Sequence, residues 1–461
     1  MSSKIVIIYE TSIDIFNIMM RRLPQPLRWF ITFLMILLPL FVTVAGTAEK
    51  TQIDDQQCSS KGDTTFHHFV VLVHGYMGSY REQEYLEETL MKESNTLIDS
   101  DSDESCRSNR HQLNILKSKA NAKVSTDGIA MGGKRLAAEI KEWIEQQTAE
   151  IENSKSDGPE SSTVLTFSLV GNSLGGLYGR YALAELDFFH SNDGTKNPIR
   201  PLIFCTTSSP HLGVSQETFI ELPRWFEPHV ATVFQQQTMD DLFGVKNSTI
   251  IKDMCLNPLP ETSDDTNNYL YPLQQFQKRI AVANAYKTDF LVSVSSGAFL
   301  SVESDSTHHH QESAKFSTRM MRDMEHVALQ VVTEPTYTET TESRDDEGDE
   351  ESKESTLGRC VDSLDKLGWH KIFIDTRNIL PGFMNLETPE LEQRTTYTSK
   401  DLKEHFETHG TLLPIAHPLN MANSKTDLYR KMTESGRPIV DALAELIVLD
   451  MVELSEKTHY S

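Results

Sequence analysis

Short apolar runs alternate with amphipathic helical stretches along most of this chain. The run FVVLV, which begins at Phe69 and ends before His74, is typical of a strand buried on both faces of a sheet. Later stretches that predict strands are HQLNILKSKAN, VLTFSLV, PLIFCTT, RIAVANA and KIFID. Apolar residues recur at helical spacing in GGKRLAAEIKEWIEQQ and GGLYGRYALAEL, and again from Ile439 to Met451. This alternation predicts an α/β fold with a mainly parallel, doubly wound sheet.

One serine follows the end of a predicted strand. The stretch SLVGNSLGGLYGRYAL, from Ser168 to Leu183, places Ser173 between Gly171 and Gly175. The pattern G-x-S-x-G between a strand and a helix is typical of a nucleophile elbow, in which glycines permit the sharp turn that exposes the serine. The alternative is a glycine-rich turn for packing or phosphate binding, although the Lys-Ser/Thr ending of a phosphate loop is missing.

A serine nucleophile needs hydrogen-bond donors for the oxyanion that forms when it attacks a carbonyl. In enzymes with such an elbow, one donor is the backbone N–H after the nucleophile, here Leu174, and the other follows an earlier strand. The strand that ends in VLVHGYMGS offers Tyr76 as the best second donor and Met77 as the next. Taken alone, the His-Gly pair in this motif also fits an ordinary turn.

The acid that orients the base is expected after the nucleophile in the chain. Asp289 comes in the loop after RIAVANA, where this acid would lie. Asp375, at the end of KIFID, is the rival. A surface aspartate is the alternative interpretation of each.

Four histidines follow Asp289 and are candidates for the base, namely His370, His405, His409 and His417. The base belongs on a loop between the last strand and the last helix, which excludes His370 because it lies at the entry of a strand. His417, in PIAHPLNM, is nearest the last helix and is flanked by apolar residues. His405 and His409 remain alternatives, and a buried packing histidine is the other interpretation of His417.

The segment 214–277, between the SSPHLG loop and the acid-bearing strand, is longer than a normal crossover. Its apolar side chains favour a helical cap or lid that shapes an acyl pocket, with core packing as the alternative. These side chains are Phe219, Leu222, Trp225, Phe226, Val230 and Phe234.

The charge of the chain limits its partners. The formal net charge of −24 argues against nucleic acid or an anionic membrane surface as a partner, because both would repel the protein. Much of the negative charge lies in an insert at 333–357, where the stretch from Glu334 to Glu354 holds ten acidic and two basic residues. We expect this insert to be disordered, since it cannot bury enough apolar area to offset its ordering entropy.

The N-terminal region contains a segment that is expected to enter a membrane. Residues 29–48, WFITFLMILLPLFVTVAGTA, carry no charge, and three arginines precede them in the leader 1–28. The length fits either a signal peptide or a spanning helix of about 20 residues; a buried helix is the less favoured alternative, because the stretch is apolar all round. The basic leader favours a membrane-associated or secretory location with the main domain in the lumen or outside, where the glycosylation sequon at Asn247 would be accessible.

Cysteines and histidines give no metal-binding pattern. Cys205, inside PLIFCTT, is expected to be a buried core thiol, and one or two disulfides among the other cysteines would fit a secretory compartment. The other four are Cys58, Cys106, Cys255 and Cys360. The triplet His308 to His310 is interpreted as a solvated loop, because no second cluster completes a metal site. We therefore expect no metal and no cofactor.

Five motifs, in this order, resemble the putative serine esterase family of lipase-like α/β-hydrolases, long labelled a domain of unknown function. They are HHFVVLVHGYMGS, STDGIAMGGKRLAAEI, SLVGNSLGGLYGRYAL, SSPHLG and FQKRIAVANAYKTDFLV. The similarity extends from Phe66 to Val292 and returns near His417. The N-terminal membrane segment, the acidic insert and the long separation of acid from base depart from that family.

The resemblance implies an α/β-hydrolase domain over 64–332 and 358–455. It implies Ser173 as nucleophile, Asp289 as acid and His417 as base, with lipid or other acyl esters as the substrate class. An acyltransferase or a deacylase of lipid anchors would share all of these residues. A membrane-tethered scaffold without turnover is a further alternative, because fold alone does not establish activity.

Overall fold

The computed structural model describes twelve stretches of the chain, and every structural statement below concerns these residues. They are 64–100, 109–154, 162–189, 198–215, 236–256, 269–289, 291–310, 318–322, 324–336, 355–379, 394–408 and 416–460. The leader, the predicted membrane segment 29–48 and residues 337–354 of the acidic insert lie outside them, as do all six apolar side chains that favour a cap. Among the helices that the structure describes, none has the length and apolar character needed to cross a membrane.

Nine strands form one sheet. They are β1 (Thr64–Val73), β2 (Asn109–Lys117), β3 (Ser162–Asn172), β4 (Arg200–Thr207), β5 (Lys278–Asn284), β6 (Thr307–His310), β7 (Val327–Val332), β8 (His370–Ile374) and β9 (Thr396–Thr398). Their order across the sheet is β2-β1-β3-β4-β5-β8-β7-β6-β9. The first six in this order pair in parallel. The last three are antiparallel additions at one edge.

Twelve α-helices occur in the described residues. They are α1 (Glu84–Ser100), α2 (Ile129–Ser154), α3 (Leu174–Ala184), α4 (Gln237–Phe243), α5 (Ile250–Leu256), α6 (Leu270–Gln274), α7 (Val294–Gly297), α8 (Thr356–Asp365), α9 (Ser399–Thr408), α10 (Ala416–Leu419), α11 (Asp427–Thr433) and α12 (Arg437–Tyr460). Short 3-10 turns cover Tyr80–Gln83, Asp187–Phe189, Arg377–Ile379 and Glu434–Gly436.

The sheet is covered by helices on both faces. Leu136 of α2, Leu177 of α3 and Val361 of α8 belong to one buried core. Leu86 of α1 and Leu443 of α12 belong to the core on the other face. This arrangement of two helical layers around a mostly parallel sheet is the α/β-hydrolase fold, which confirms the fold class predicted from the sequence.

The central strand β1 shows why an unbroken apolar run marks a buried parallel strand. Successive side chains of a strand point to opposite faces. Accordingly, Phe69 and Val71 pack into the core beneath α2 and α3, whereas Val70 and Leu72 pack into the core beneath α1 and α12. Because both faces of this run are buried, a polar side chain here would need a buried hydrogen-bond partner.

The described part of the predicted cap contributes to the core. Its three short helices are α4, α5 and α6, and they bury Leu242, Met254, Leu270 and Leu273 in the same core as the helix that follows Ser173. These side chains therefore follow the core-packing alternative. The cap itself stays a prediction, because residues 216–235 and 257–268 lie outside the described stretches.

The interpretation of His308 to His310 as a solvated loop was wrong. These residues form β6, which pairs with β7 and β9, and the side chain of His308 is fully buried. The Nζ atom of Lys371 on β8 lies 2.9 Å from Nε2 of His308, and Asp365 pairs with Lys371 at 2.7 Å. A strand of only four residues gives too short an alternation to be recognised from sequence.

Candidate active site

Ser173 lies in the turn between β3 and α3 with a strained backbone. Its φ of 54° and ψ of −128° fall in a region that side-chain-bearing residues rarely adopt. The backbone N–H of Ser173 donates to the Thr207 carbonyl at 2.8 Å, which ties the turn to the neighbouring strand β4. The Ser173 hydroxyl makes no capping hydrogen bond to α3, and the side chain is only half-buried. This is the geometry of a nucleophile elbow.

Two glycines next to Ser173 are required by close packing. A Cβ atom on Gly171 would lie 2.6 Å from the Cα atom of Gly176, and one on Gly175 would collide with the carbonyl oxygen of Val73. Backbone atoms cannot move aside as a flexible side chain can, so both positions exclude any larger residue. The G-x-S-x-G spacing therefore reflects how tightly α3 approaches the sheet.

The loop after β1 lies directly against Ser173. A Cβ atom on Gly75 would be 2.8 Å from the Ser173 Cβ atom and 3.2 Å from its Oγ atom. We call the loop after β1, residues 74–79, the His-Gly loop. Since β1 and β3 are adjacent parallel strands, their carboxyl ends bring this loop and Ser173 to one edge of the sheet. This is the position that a second oxyanion donor would need.

The two candidate donors in this loop differ in their hydrogen bonds. The backbone N–H of Met77 donates to Ser125 Oγ at 2.7 Å, and Met77 has a φ of 49°. That engagement favours Tyr76 over Met77 as the oxyanion donor. Leu174 begins α3, and the N–H groups in the first turn of a helix have no intrahelical acceptor. The side chain of Tyr76 is separately fixed, because its hydroxyl donates to Gln236 Oε1.

Asp289 and His417 form a buried pair. The Nδ1 atom of His417 lies 2.8 Å from Oδ2 of Asp289. Asn284 also donates to that Oδ2 at 2.9 Å, and the backbone N–H groups of Leu291 and Val292 donate to Oδ1 at 2.8 and 3.0 Å. The carboxylate is therefore held at both oxygens, and its orientation fixes the imidazole ring.

For each residue of this pair, burial and the charge of the partner shift the pKa in opposite directions. Burial alone would lower the pKa of His417, but the Asp289 carboxylate and the Glu82 charge outweigh it and raise this pKa above 6.5. Burial would likewise raise the pKa of Asp289, yet the His417 interaction and the hydrogen bonds from Val292 and Asn284 hold it below its usual value. Asp289 is thus ionised and His417 is made a stronger base.

The rival residues have other partners. Asp375 accepts bonds from the Arg377 guanidinium at 2.9 and 2.8 Å, so it belongs to an ion pair instead of a histidine pair. His370 lies on β8 with its Nε2 atom 3.0 Å from Gln330 Oε1. His405 Nε2 lies 3.1 Å from the Tyr286 hydroxyl. His409 lies outside the described residues.

A polar network behind the site was not anticipated from the sequence. Ser208 Oγ accepts from Asn284 Nδ2 at 3.1 Å and from Asn420 Nδ2 at 3.0 Å, so it links the acid-bearing strand to the segment that carries His417. Thr207 donates its hydroxyl to Asn172 Oδ1 at 3.0 Å, next to the elbow. Amide side chains at strand ends give no distinctive sequence signal, because the same residues favour ordinary turns.

The described cysteines and potential metal ligands bear on whether the chain holds a second site. Among the described residues, no group of three or more His, Cys, Asp or Glu side chains is arranged to hold a metal ion. Cys205 is buried in the core, as predicted, and it is a free thiol, as are Cys255 and Cys360. Cys58 and Cys106 lie outside the described residues.

Comparison with solved structures finds lipases and related hydrolases. The propeptide form of the lipase BlEst2 from Bacillus licheniformis matches at 15% identity and a TM-score of 0.28, over 51% of this chain and 38% of that one. The phospholipase PlaB from Legionella pneumophila, in complex with thio-NAD, matches at 12% identity and a TM-score of 0.26, over 48% of this chain and 38% of that one. The peroxisomal α/β-hydrolase Lpx1 from Saccharomyces cerevisiae matches at 11% identity and a TM-score of 0.24, over 52% and 67%. The chain thus spans well under half the length of the first two.

Comparison with curated proteins gives no match. A family model gives the assignment instead. The model described as "Putative serine esterase (DUF676)" matches residues 64–301, which is more than half of the 461 residues. This range begins with β1 and includes the His-Gly loop, the elbow and Asp289. The chain therefore belongs to the putative serine esterase family of α/β-hydrolases.

Proposed function

We propose that this protein hydrolyses carboxylic esters through a triad of Ser173, His417 and Asp289. The observation that carries the proposal is the 2.8 Å hydrogen bond between His417 and Asp289. Ser173 and Asp289 follow the carboxyl ends of β3 and β5, which are strands of the same parallel sheet. In open α/β sheets, ligands bind outside these strand ends. Membership in a serine esterase family supports the same reaction class.

The reaction proceeds in two steps. His417 takes the hydroxyl proton of Ser173 as Oγ attacks the ester carbonyl, and the N–H groups of Leu174 and Tyr76 hold the resulting oxyanion. The C–O bond to the alcohol then breaks, and His417 returns the proton to the leaving alcohol. A water molecule, deprotonated by His417, attacks the acyl-enzyme, releases the carboxylic acid and restores Ser173. Asp289 stays ionised and stabilises the imidazolium in both steps.

Acyl esters of lipids are the proposed substrate class. The family assignment supports an ester, and structures named as lipase and phospholipase are among the similar proteins. The predicted cap at 214–277 would supply the apolar surface that an acyl chain requires.

Turnover of p-nitrophenyl esters with acyl chains of two to sixteen carbons tests both the proposed ester hydrolysis and the proposed lipid substrate class. Ester hydrolysis requires that the protein releases p-nitrophenol and that Ser173→Ala does not. A rate that rises with chain length supports a lipid ester, whereas a maximum at two carbons contradicts that substrate class. Equal rates for the protein and for Ser173→Ala contradict the triad itself.

We also propose that residues 29–48 bring the protein to a membrane of the secretory pathway. The uncharged stretch and the preceding arginines support this. The sequon residue Asn247 is exposed in a turn after α4. Glycosidase treatment of the protein expressed in eukaryotic cells is expected to change its mobility, and Asn247→Gln is expected to abolish the change. Absence of any shift would contradict a lumenal main domain.

A further inference from the structure

A buried ion pair adjoins the His-Gly loop but is not part of the proposed triad. The Nζ atom of Lys425 lies 3.5 Å from Oε1 of Glu82, and the two side chains are only 13% and 9% exposed. Burial lowers the pKa of Lys425 and raises that of Glu82, while each partner opposes the shift of the other. Because desolvation often cancels the attraction of such pairs, a buried ion pair contributes little net stability. A role in positioning is a more direct explanation for its presence here.

The ammonium group of Lys425 also holds the backbone of the loop. It donates to the Met77 carbonyl oxygen at 2.6 Å. The other end of the same residue is fixed as well, since the Met77 N–H donates to Ser125 Oγ. Met77 has a positive φ of 49°, a conformation that needs such support in a residue with a side chain.

A chain of peptide groups connects this contact to Tyr76. The Met77 carbonyl and the Gly78 N–H belong to one peptide plane, and that N–H donates to the Gly75 carbonyl at 3.1 Å. The Gly75 carbonyl and the Tyr76 N–H belong to the next such plane. Lys425 is therefore joined to the Tyr76 N–H by two peptide groups and one hydrogen bond between them.

Polarisation of these peptide groups passes from Lys425 toward the Tyr76 N–H. A cation that donates to one carbonyl polarises its peptide group and strengthens the N–H of that group as a donor. The effect passes through the Gly75 carbonyl, which also lies 3.0 Å from Nδ1 of His74. Both donors to this carbonyl make the Tyr76 N–H more positive, which is what an oxyanion donor requires.

We propose that Lys425, anchored by Glu82, is a positioning residue that orients and polarises the Tyr76 N–H through the Met77–Gly78 and Gly75–Tyr76 peptide groups. The proposal rests on the proposed esterase function. It predicts that the charge of Lys425 acts on the transition state, in which the oxyanion exists, and hardly on substrate binding.

The experiment compares Lys425→Met with the native protein on p-nitrophenyl butyrate. Removing an oxyanion donor outright lowers kcat by ~10² to 10³-fold, so weakening one is expected to lower kcat about tenfold while KM changes little. Lys431→Met is the matched control, because Lys431 is exposed on α11 and its loss is expected to leave kcat unchanged. A kcat for Lys425→Met within twofold of the native value overturns the relay.

A second readout separates this role from a general loss of structure. The thionoester analogue of the substrate carries sulfur where the oxyanion forms and so gains less from the N–H donors. The ratio of ester to thionoester turnover is expected to fall in Lys425→Met, and an unchanged ratio overturns the proposal even if kcat falls. Should Lys425→Met fail to fold, the ratio of ester to thionoester turnover can be measured in Lys425→Gln, which keeps a neutral donor. A ratio between that of the native protein and that expected for Lys425→Met is predicted for this variant. If the native protein and Ser173→Ala are equally inactive, the esterase proposal has failed and not the relay alone.

Discussion

The imidazole of His417 lies 2.8 Å from the carboxylate of Asp289, although 128 positions separate them in the sequence. Asp289 is in the loop that follows β5, and His417 is on the short helix α10, which is followed by α11 and the last helix α12. The carboxylate accepts three further hydrogen bonds, from Asn284, Leu291 and Val292. A surface aspartate would not be held this way, so the arrangement supports a role for Asp289 in orienting the ring.

Asp289→Asn is expected to abolish nearly all turnover while leaving the fold intact. The amide keeps the volume of the carboxylate but stabilises the wrong tautomer of His417, and the corresponding change in a Ser-His-Asp triad lowers kcat about 10⁴-fold. Steady-state kinetics with a circular dichroism control measures this. A kcat within tenfold of the native value would show that Asp289 is not the acid.

The pH profile is expected to report His417. Turnover requires the neutral imidazole, so kcat/KM should rise with pH through the pKa of His417, which Asp289 and Glu82 raise above 6.5. Glu82→Gln removes one of these negative charges, and the midpoint of the acid limb is expected to move to lower pH. A midpoint that moves upward, or does not move, contradicts the electrostatic assignment of His417.

Asp375→Asn is expected to affect stability and not the chemical step. The carboxylate pairs with the buried Arg377 guanidinium, and breaking such a pair on one side costs about 3–5 kcal/mol. Urea unfolding is expected to show this loss, while kcat per folded molecule stays near the native value. A folded Asp375→Asn protein with kcat reduced 10³-fold would instead favour Asp375 as the acid.

Gly175→Ala is expected to be destabilising because its methyl group would collide with the carbonyl oxygen of Val73. Overpacking of this kind costs about 1–3 kcal/mol. Gly179→Ala on the same helix is the matched control, since its Cβ atom would meet the end of the Leu169 side chain at 2.8 Å, which can shift more readily than a backbone atom. Thermal unfolding should therefore show a larger decrease in Tm for Gly175→Ala than for Gly179→Ala. Equal decreases would contradict the close approach of α3 to β1.

The elements that were predictable from sequence are those whose pattern is local. The runs that became β1, β3, β4 and β5 are apolar because both of their faces are buried, and the glycines around Ser173 mark the place where α3 approaches the sheet too closely for a side chain. The antiparallel strands β6, β7 and β9 were missed. They are short and lie at the edge of the sheet, so their patterns resemble those of loops.

The supporting residues of the candidate site were not predictable because their partners are distant in sequence. Lys425 contacts the Met77 carbonyl across 348 positions, and Asn420 contacts Ser208 across 212. Nothing in the local sequence distinguishes Lys425 from the exposed Lys431 nearby. Lys425 is distinguished only in the folded protein, where it contacts the Met77 carbonyl and Glu82.

Covalent labelling with a fluorophosphonate tests the central claim most directly, because the reagent reacts with a serine that an adjacent base activates. The native protein is expected to be labelled on the peptide that contains Ser173, with Ser173→Ala unlabelled and His417→Ala labelled at least a hundredfold more slowly. Equal labelling of the native protein and Ser173→Ala, or the absence of label from a folded native protein, would contradict the assignment of Ser173 as the nucleophile.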